Sequence, residues 1–154
     1  MKTTQRDRQA GVTLLEMLIV VAVISILTAV VYPSYQDYVV RGNRAVGKGA
    51  LLEVAARQEQ FFANNAGYGS GTEQLGYPST YYVDRKGGQG TSATGIYLIE
   101  VDNLTSAPIR DYTLTATPQN FQETRDTECA NLTLNERGVK GVEGQTGSGE
   151  RCWE

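Results

Sequence analysis

From Val12 to Tyr32 the chain is apolar almost without interruption, and the only charged residue in this run is Glu16, close to its start. As a helix the run extends about 30 Å at 1.5 Å per residue, enough to cross a hydrocarbon core. Its Leu, Ile and Val residues surround the helix on every side, so it must be buried in lipid or among other helices. Pro33 follows, lacking an amide hydrogen and crowding the carbonyl of Ala29, which predicts a kink or local unwinding at residues 29–33. Beyond it, Tyr35, Tyr38 and Val39, then Leu51, Val54, Ala55, Gln58, Phe61 and Phe62, recur at helical spacing. Arg41, Arg44, Lys48, Glu53, Arg57 and Glu59 fall mostly on other faces, so residues 34–66 read as an amphipathic continuation. Gly42, Gly47 and Gly49 weaken it by about 1 kcal/mol each relative to Ala. Asn64, Asn65 and Gly67 read as its stop, and Phe61 and Phe62 as packing against a sheet rather than holding a ligand.

Residues 67–95 are rich in Gly, Ser, Thr and Tyr and show no sustained period, which predicts a long surface loop with one short strand in it. Strand patterns then follow at Ile96–Val101, Asp111–Thr117 and Ala130–Leu134. In the second, Tyr112, Leu114 and Ala116 alternate with Thr113, Thr115 and Thr117, so the threonines share the face opposite the core. Pro118 ends that strand, and Asn135-Glu136-Arg137-Gly138 reads as a turn into a possible last strand. The economical architecture is α+β, with a small antiparallel sheet over 96–154 packed on the amphipathic half of one long helix.

The charge pattern sets an orientation. Residues 1–11 carry Lys2, Arg6 and Arg8 against Asp7, a basic excess that holds this end on the cytoplasmic side and places the carboxyl-terminal domain outside. A secretory signal would be cut after the apolar run, where residues 29–33 offer no small-residue site. Glu16 needs a partner, since an unpaired carboxylate at the bilayer centre costs on the order of 3 kcal/mol. Cleavage after Gly11 would give Val12 an α-ammonium about one helical turn from Glu16, and neighbouring copies could pair the two groups.

Gly11-Val12-Thr13-Leu14-Leu15-Glu16 resembles the signal of type IV pilins and the related pseudopilins: a short basic leader, Gly, an N-methylated first residue, and Glu as the fifth residue of the mature chain. Most pilins have Phe where this chain has Val12. The resemblance implies that prepilin peptidase cuts between Gly11 and Val12 and that the amine of Val12 is methylated. Tyr112-Thr113-Leu114-Thr115-Ala116-Thr117-Pro118, Asp126, Cys129, Leu132-Thr133-Leu134-Asn135 and Gly138 are similar to the carboxyl half of PilE-type minor pilins. Arg57-Gln58-Glu59-Gln60-Phe61-Phe62 resembles the helix end of the same group. The family implies a precursor held in the bacterial inner membrane, then an extracellular pilus in which other major and minor pilins are partners. The assembly machinery of the inner membrane is a further partner, and twitching motility, adhesion or DNA uptake are the activities served.

Cys129 and Cys152 are the only cysteines and lie on the oxidising side, so a disulfide is the default. Its closure restricts the unfolded chain by roughly 3 to 4 kcal/mol on the entropic account, and the resemblance implies the same bond around a carboxyl-terminal loop. A metal site would need further ligands, and the chain has no His. Asp102, Asp111, Asp126 and Glu128 are read as solvated turn carboxylates in preference to a calcium loop. Without His, the Ser-His and Cys-His arrangements are excluded, no phosphate-binding loop is present, and no enzyme or cofactor is expected. The formal charge is -3, and without the leader's three basic and one acidic residues 11 basic and 16 acidic ones remain, so no basic field invites nucleic acid. Asn103-Leu104-Thr105 and Asn131-Leu132-Thr133 match the glycosylation triplet, but chance and strand threonines account for them.

These features favour a minor pilin. Two other readings remain: a pseudopilin of type II secretion, which usually lacks the cysteine pair, and an uncut inner-membrane anchor carrying a periplasmic binding or sensory module.

Overall fold

The computed structural model describes residues 12–102, 108–144 and 149–154. Gly11 and the residues before it, expected as a leader, lie outside these residues, as does the Asn103 triplet. The chain divides into two compact units, Met1–Tyr38 and Val39–Glu154, while one α-helix, α1, runs from Leu14 to Asn65.

In the first unit α1 starts on a side-chain cap. The amide of Glu16 donates to Thr13 Oγ1 at 3.2 Å, and the amide of Met17 to the Thr13 carbonyl at 3.2 Å. Thr13 is thus the N-cap and Glu16 the third helical residue, the Thr-x-x-Glu spacing of a capping box. The apolar side chains from Leu14 to Val31 are exposed all round the helix. Ser25 and Thr28 donate their hydroxyls to the carbonyls of Val21 and Ile24, each at 2.7 Å, so neither hydroxyl asks for a solvent partner. By length and composition this part of α1 is long and apolar enough to cross a membrane. Helical structure continues through Pro33 without a break. The unwinding expected there is absent: Pro33 removes one amide donor, and the turns on either side keep theirs.

In the second unit α1 buries Val40, Asn43, Gly47, Ala50, Leu51, Val54 and Gln58, one stripe at three- and four-residue spacing. It ends where Ala66, not Gly67, takes the left-handed conformation (φ 55°). Five strands follow in sheet order β1-β2-β3-β4-β5: β1 Tyr81–Val83, β2 Tyr97–Asp102, β3 Thr113–Pro118, β4 Asn131–Asn135 and β5 Lys140–Glu143. Every neighbouring pair is antiparallel. Tyr97, Ile99, Leu114, Ala116, Leu132 and Leu134 meet Leu51 and Val54 of α1 in the core. Thr115 lies opposite Thr133 on the other face.

Residues 67–95 are more than a surface loop. A 3-10 turn at Thr72–Leu75 and strand β1 put Leu75, Tyr81 and Val83 into the core. Gln58, at the end of the buried stripe, donates to the Gly69 carbonyl at 3.0 Å and accepts from the Gly69 amide at 2.8 Å, pinning the chain as it leaves the helix. Tyr77 stacks on Tyr81 with ring centroids 4.4 Å apart and donates to Glu53. Burial and that carboxylate push the Tyr77 phenol up to about 12. Two short helices had no periodic signal: α2, Phe121–Arg125, and α3, Gly149–Trp153.

The three helical glycines differ in what surrounds them. A Cβ on Gly47 would stand 2.8 Å from the ring of Tyr97, whereas Gly42 and Gly49 face open space. Gly47→Ala should therefore destabilise the protein by about 1 to 3 kcal/mol through overpacking. Gly42→Ala and Gly49→Ala should each stabilise it by about 0.5 to 1 kcal/mol through helix propensity. Urea denaturation of the three variants checks the contrast, and equal effects at all three positions would contradict the close approach of helix and ring.

Candidate functional site

The amino-terminal site comprises Val12, exposed at the head of α1, and Glu16 in its first turn. The amino end of a helix favours negative charge, so the capping geometry and the macrodipole both suit Glu16 where it stands. The Glu16 carboxylate is exposed in that first turn.

A second site is built from buried polar groups. Asp126, at the carboxyl end of α2, is 1 % exposed. Arg44 of α1 donates to it twice, from Nε to Oδ2 at 2.9 Å and from Nη2 to Oδ1 at 2.7 Å. Gln122 Nε2 adds a bond to Oδ2 at 2.8 Å, the Cys129 amide one to Oδ1 at 3.2 Å, and the Tyr97 hydroxyl one to Oδ2 at 3.4 Å. Asn43 Nδ2 donates to Gln122 Oε1 at 2.9 Å, so the network joins α1, β2, α2 and the disulfide. The hydrogen bonds to Asp126 raise the pKa of Arg44, opposed by partial burial. Burial, and then the same carboxylate, raise that of Tyr97.

Cys129 and Cys152 are joined, with Cα atoms 5.6 Å apart. The bond brings α3 to the core: Cys152 is buried, and Trp153 donates its indole N–H to the Gly141 carbonyl of β5 at 2.8 Å. The ammonium of Lys48 reaches the Glu154 carbonyl at 2.6 Å.

Asp126 is not a solvated turn carboxylate, and this corrects the sequence reading. Glu128, grouped with it as an alternative calcium ligand, lies 3.6 Å from both Arg44 and Arg151. Among the described residues no three potential metal ligands come together. Arg44, Asn43 and Gln122 were not singled out from sequence. Asn43 carried a signal, a polar residue at the three-residue spacing of the buried stripe; Gln122 sits on a helix too short to show a period.

A third feature lies at the surface. The guanidinium carbons of Arg85, in the β1–β2 loop, and of Arg125, in α2, each stand 5.9 Å from the ring centroid of Phe121. Lys86, next to Arg85 in the chain, is exposed; Asp84 precedes Arg85, and Glu123 lies two residues before Arg125.

A capped apolar helix bearing Glu16, continued into a helix-on-sheet head closed by a carboxyl-terminal disulfide, is the architecture of a type IV pilin. The chain belongs to the family described as type IV minor pilin ComP, DNA uptake sequence receptor, which matches residues 33–133. Residues 6–32 match the prokaryotic N-terminal methylation motif. The fimbrial protein EcpC of Eikenella corrodens is 39% identical over 90 residues, covering 53% of this chain and 59% of that protein. A fimbrial protein of Pseudomonas aeruginosa is 50% identical over 50 residues, 31% of this chain and 32% of that one. The matches thus span about three-fifths and one-third of those relatives' lengths. A type IV pilin structure from Shewanella oneidensis is similar over 71% of this chain and 98% of that one, at 19% identity and a TM-score of 0.43.

Removing Asp126 strands the Arg44 guanidinium and the Cys129 amide, whereas removing Arg44 leaves the carboxylate three donors. Asp126→Ala should cost about 3 to 5 kcal/mol and Arg44→Met about 2 to 3 kcal/mol. Urea denaturation of the oxidised protein measures both, and a larger loss in Arg44→Met would contradict the assigned hub.

Proposed function

We propose that this chain is a minor subunit of a type IV pilus. It is made as a single-pass inner-membrane precursor with its amino terminus in the cytoplasm. Prepilin peptidase cuts between Gly11 and Val12 and methylates the Val12 amine. The inner-membrane assembly machinery then draws the subunit into a helical filament with other major and minor pilins, which it primes or supports for twitching motility, adhesion or DNA uptake. The observation that carries this reading is the first half of α1, apolar and exposed on all sides, with Glu16 in its first turn. A neighbour's methylated ammonium against Glu16 in a filament core of low dielectric supplies the missing partner.

The test is the composition of sheared pili. Replacement of Gly11 by a bulky residue should leave uncut precursor in the membrane. Glu16→Ala should be processed normally yet fall at least about tenfold in the filament, the equivalent of 1.4 kcal/mol in the assembly equilibrium. Normal recovery of Glu16→Ala in pili would remove its assembly role. Retention of residues 1–11 in cells with active peptidase would favour the uncut anchor instead.

A second reading, DNA capture, is favoured by Arg85 and Arg125 against Phe121, with Lys86 next to Arg85 in the chain. Two guanidinium groups flanking a ring can contact successive phosphates while the ring offers a face for stacking, even though the net charge of the chain is negative. Arg85→Ala with Arg125→Ala should weaken duplex binding and flatten the dependence of log K on log salt by about 2, one for each lost phosphate contact. An unchanged slope would exclude this patch as the contact surface.

A further inference from the structure

Tyr32, Tyr35 and Tyr38 follow the apolar run, and all three are exposed, at 60%, 63% and 69%. Their three-residue spacing confines them to about a third of the helix circumference, while Ser34, Asp37 and Arg41 fall in the remaining sectors. Tyr32 and Tyr35 flank a shallow groove with Leu27, Thr28 and Val31. We infer that the three tyrosines form a band that anchors the precursor at the outer headgroup layer of a phospholipid bilayer and sets how deep α1 sits.

The inference rests on the membrane-anchored precursor proposed above and adds where the span ends and what holds it there. If residues 12–31 fill a hydrocarbon core of about 30 Å, the Cα atoms of Tyr32, Tyr35 and Tyr38 stand about 1.5, 6 and 10 Å beyond it. The headgroup layer on each side is about 5 to 7 Å thick, so the Cα atoms of Tyr32 and Tyr35 lie within it and that of Tyr38 about 3 Å beyond it, its ring leaning back toward the layer because helical side chains tilt toward the amino terminus. Tyrosine suits that layer because the ring is apolar and the hydroxyl finds water or lipid phosphate. Pro33 fits the same placement. The carbonyl it leaves without an amide donor belongs to Ala29, in the outermost turn of the span, where water reaches, and not at the midplane, where an unpaired carbonyl is costly.

The test uses the full chain in phosphatidylcholine vesicles brominated at shallow or deep acyl positions, with single tryptophans placed in a Trp153→Phe background. Ile24→Trp should be quenched most by deep bromines, Tyr32→Trp and Tyr35→Trp most by shallow ones, and Tyr38→Trp weakly by either. Because tryptophan itself prefers the interface, a second variant keeps the reporter at Ile24→Trp and changes all three tyrosines to Ser. Its shallow-to-deep quenching ratio should move by about twofold as the anchor is lost. An unmoved ratio, or Tyr32→Trp and Tyr35→Trp quenched no more than Tyr38→Trp, would overturn the band and assign the stripe to helix contacts within the filament. Absence of quenching at Ile24→Trp as well would overturn the membrane-anchored reading itself.

Discussion

The head depends on one carboxylate. Asp126 has no contact with solvent through which to stabilise its charge, so it collects donors: the fork of Arg44, the amide of Gln122, the Tyr97 hydroxyl and the Cys129 backbone amide. These donors come from α1, α2, β2 and the residue that begins the disulfide loop, elements far apart in the chain. A planar fork meeting a carboxylate with two parallel hydrogen bonds fixes orientation as well as distance. A buried polar group left without partners costs more than a satisfied one contributes, so each element is held to a single arrangement by the others. Hydrophobic burial of Leu51, Val54, Ile99 and Leu132 supplies the larger share of stability, but it is tolerant of small slides along the helix. The network and the contact of Gly47 with Tyr97 are not.

The apolar helix and the alternating strands were legible in the sequence because each rests on a local period, whereas the Thr13 cap was seen only in the structure. Strands expected at Ile96–Val101, Asp111–Thr117 and Ala130–Leu134 appear one or two residues displaced, at Tyr97–Asp102, Thr113–Pro118 and Asn131–Asn135. What escaped is what only the tertiary structure decides. Gly47 resembles Gly42 and Gly49 until the ring of Tyr97 lies against it. Tyr81 resembles Tyr82 in a stretch with no period, yet one ring enters the core and the other does not. Asp126 reads as a turn carboxylate in TRDTEC because its partner lies at Arg44, on another element. Helices of five residues, such as α2 and α3, are too short to carry a period and are held by tertiary contacts and a covalent bond.

The disulfide and α3 act on the last strand. β5 is an edge strand, and its outward carbonyls and amides invite another chain to pair. Trp153 donates its indole N–H to the Gly141 carbonyl of that strand, which faces β4 in the register, and Lys140 stands 5.4 Å over the same ring. The bond between Cys129 and Cys152 holds that indole in place. The carboxyl end of the chain is thus tied down by a covalent bond to Cys129 and a hydrogen bond to the last strand together.

The two halves of α1 satisfy their polar groups by different means, and the difference suits what each half does. In the first half Thr13 caps the opening amides, Ser25 and Thr28 return their hydroxyls to carbonyls one turn back, and among the described residues no bond from this half reaches another element. Such a segment can exchange lipid for protein surroundings without breaking a hydrogen bond, because none of those bonds depends on what surrounds it. In the second half Asn43, Arg44 and Gln58 bond to side chains and backbone distant in sequence or beyond the helix end. Those groups cannot change surroundings without leaving donors and acceptors buried and unpaired. A change of environment that breaks no hydrogen bond is therefore confined to the part of the helix before the head, where the charged residues are Glu16 in the first turn and Asp37 just before Tyr38.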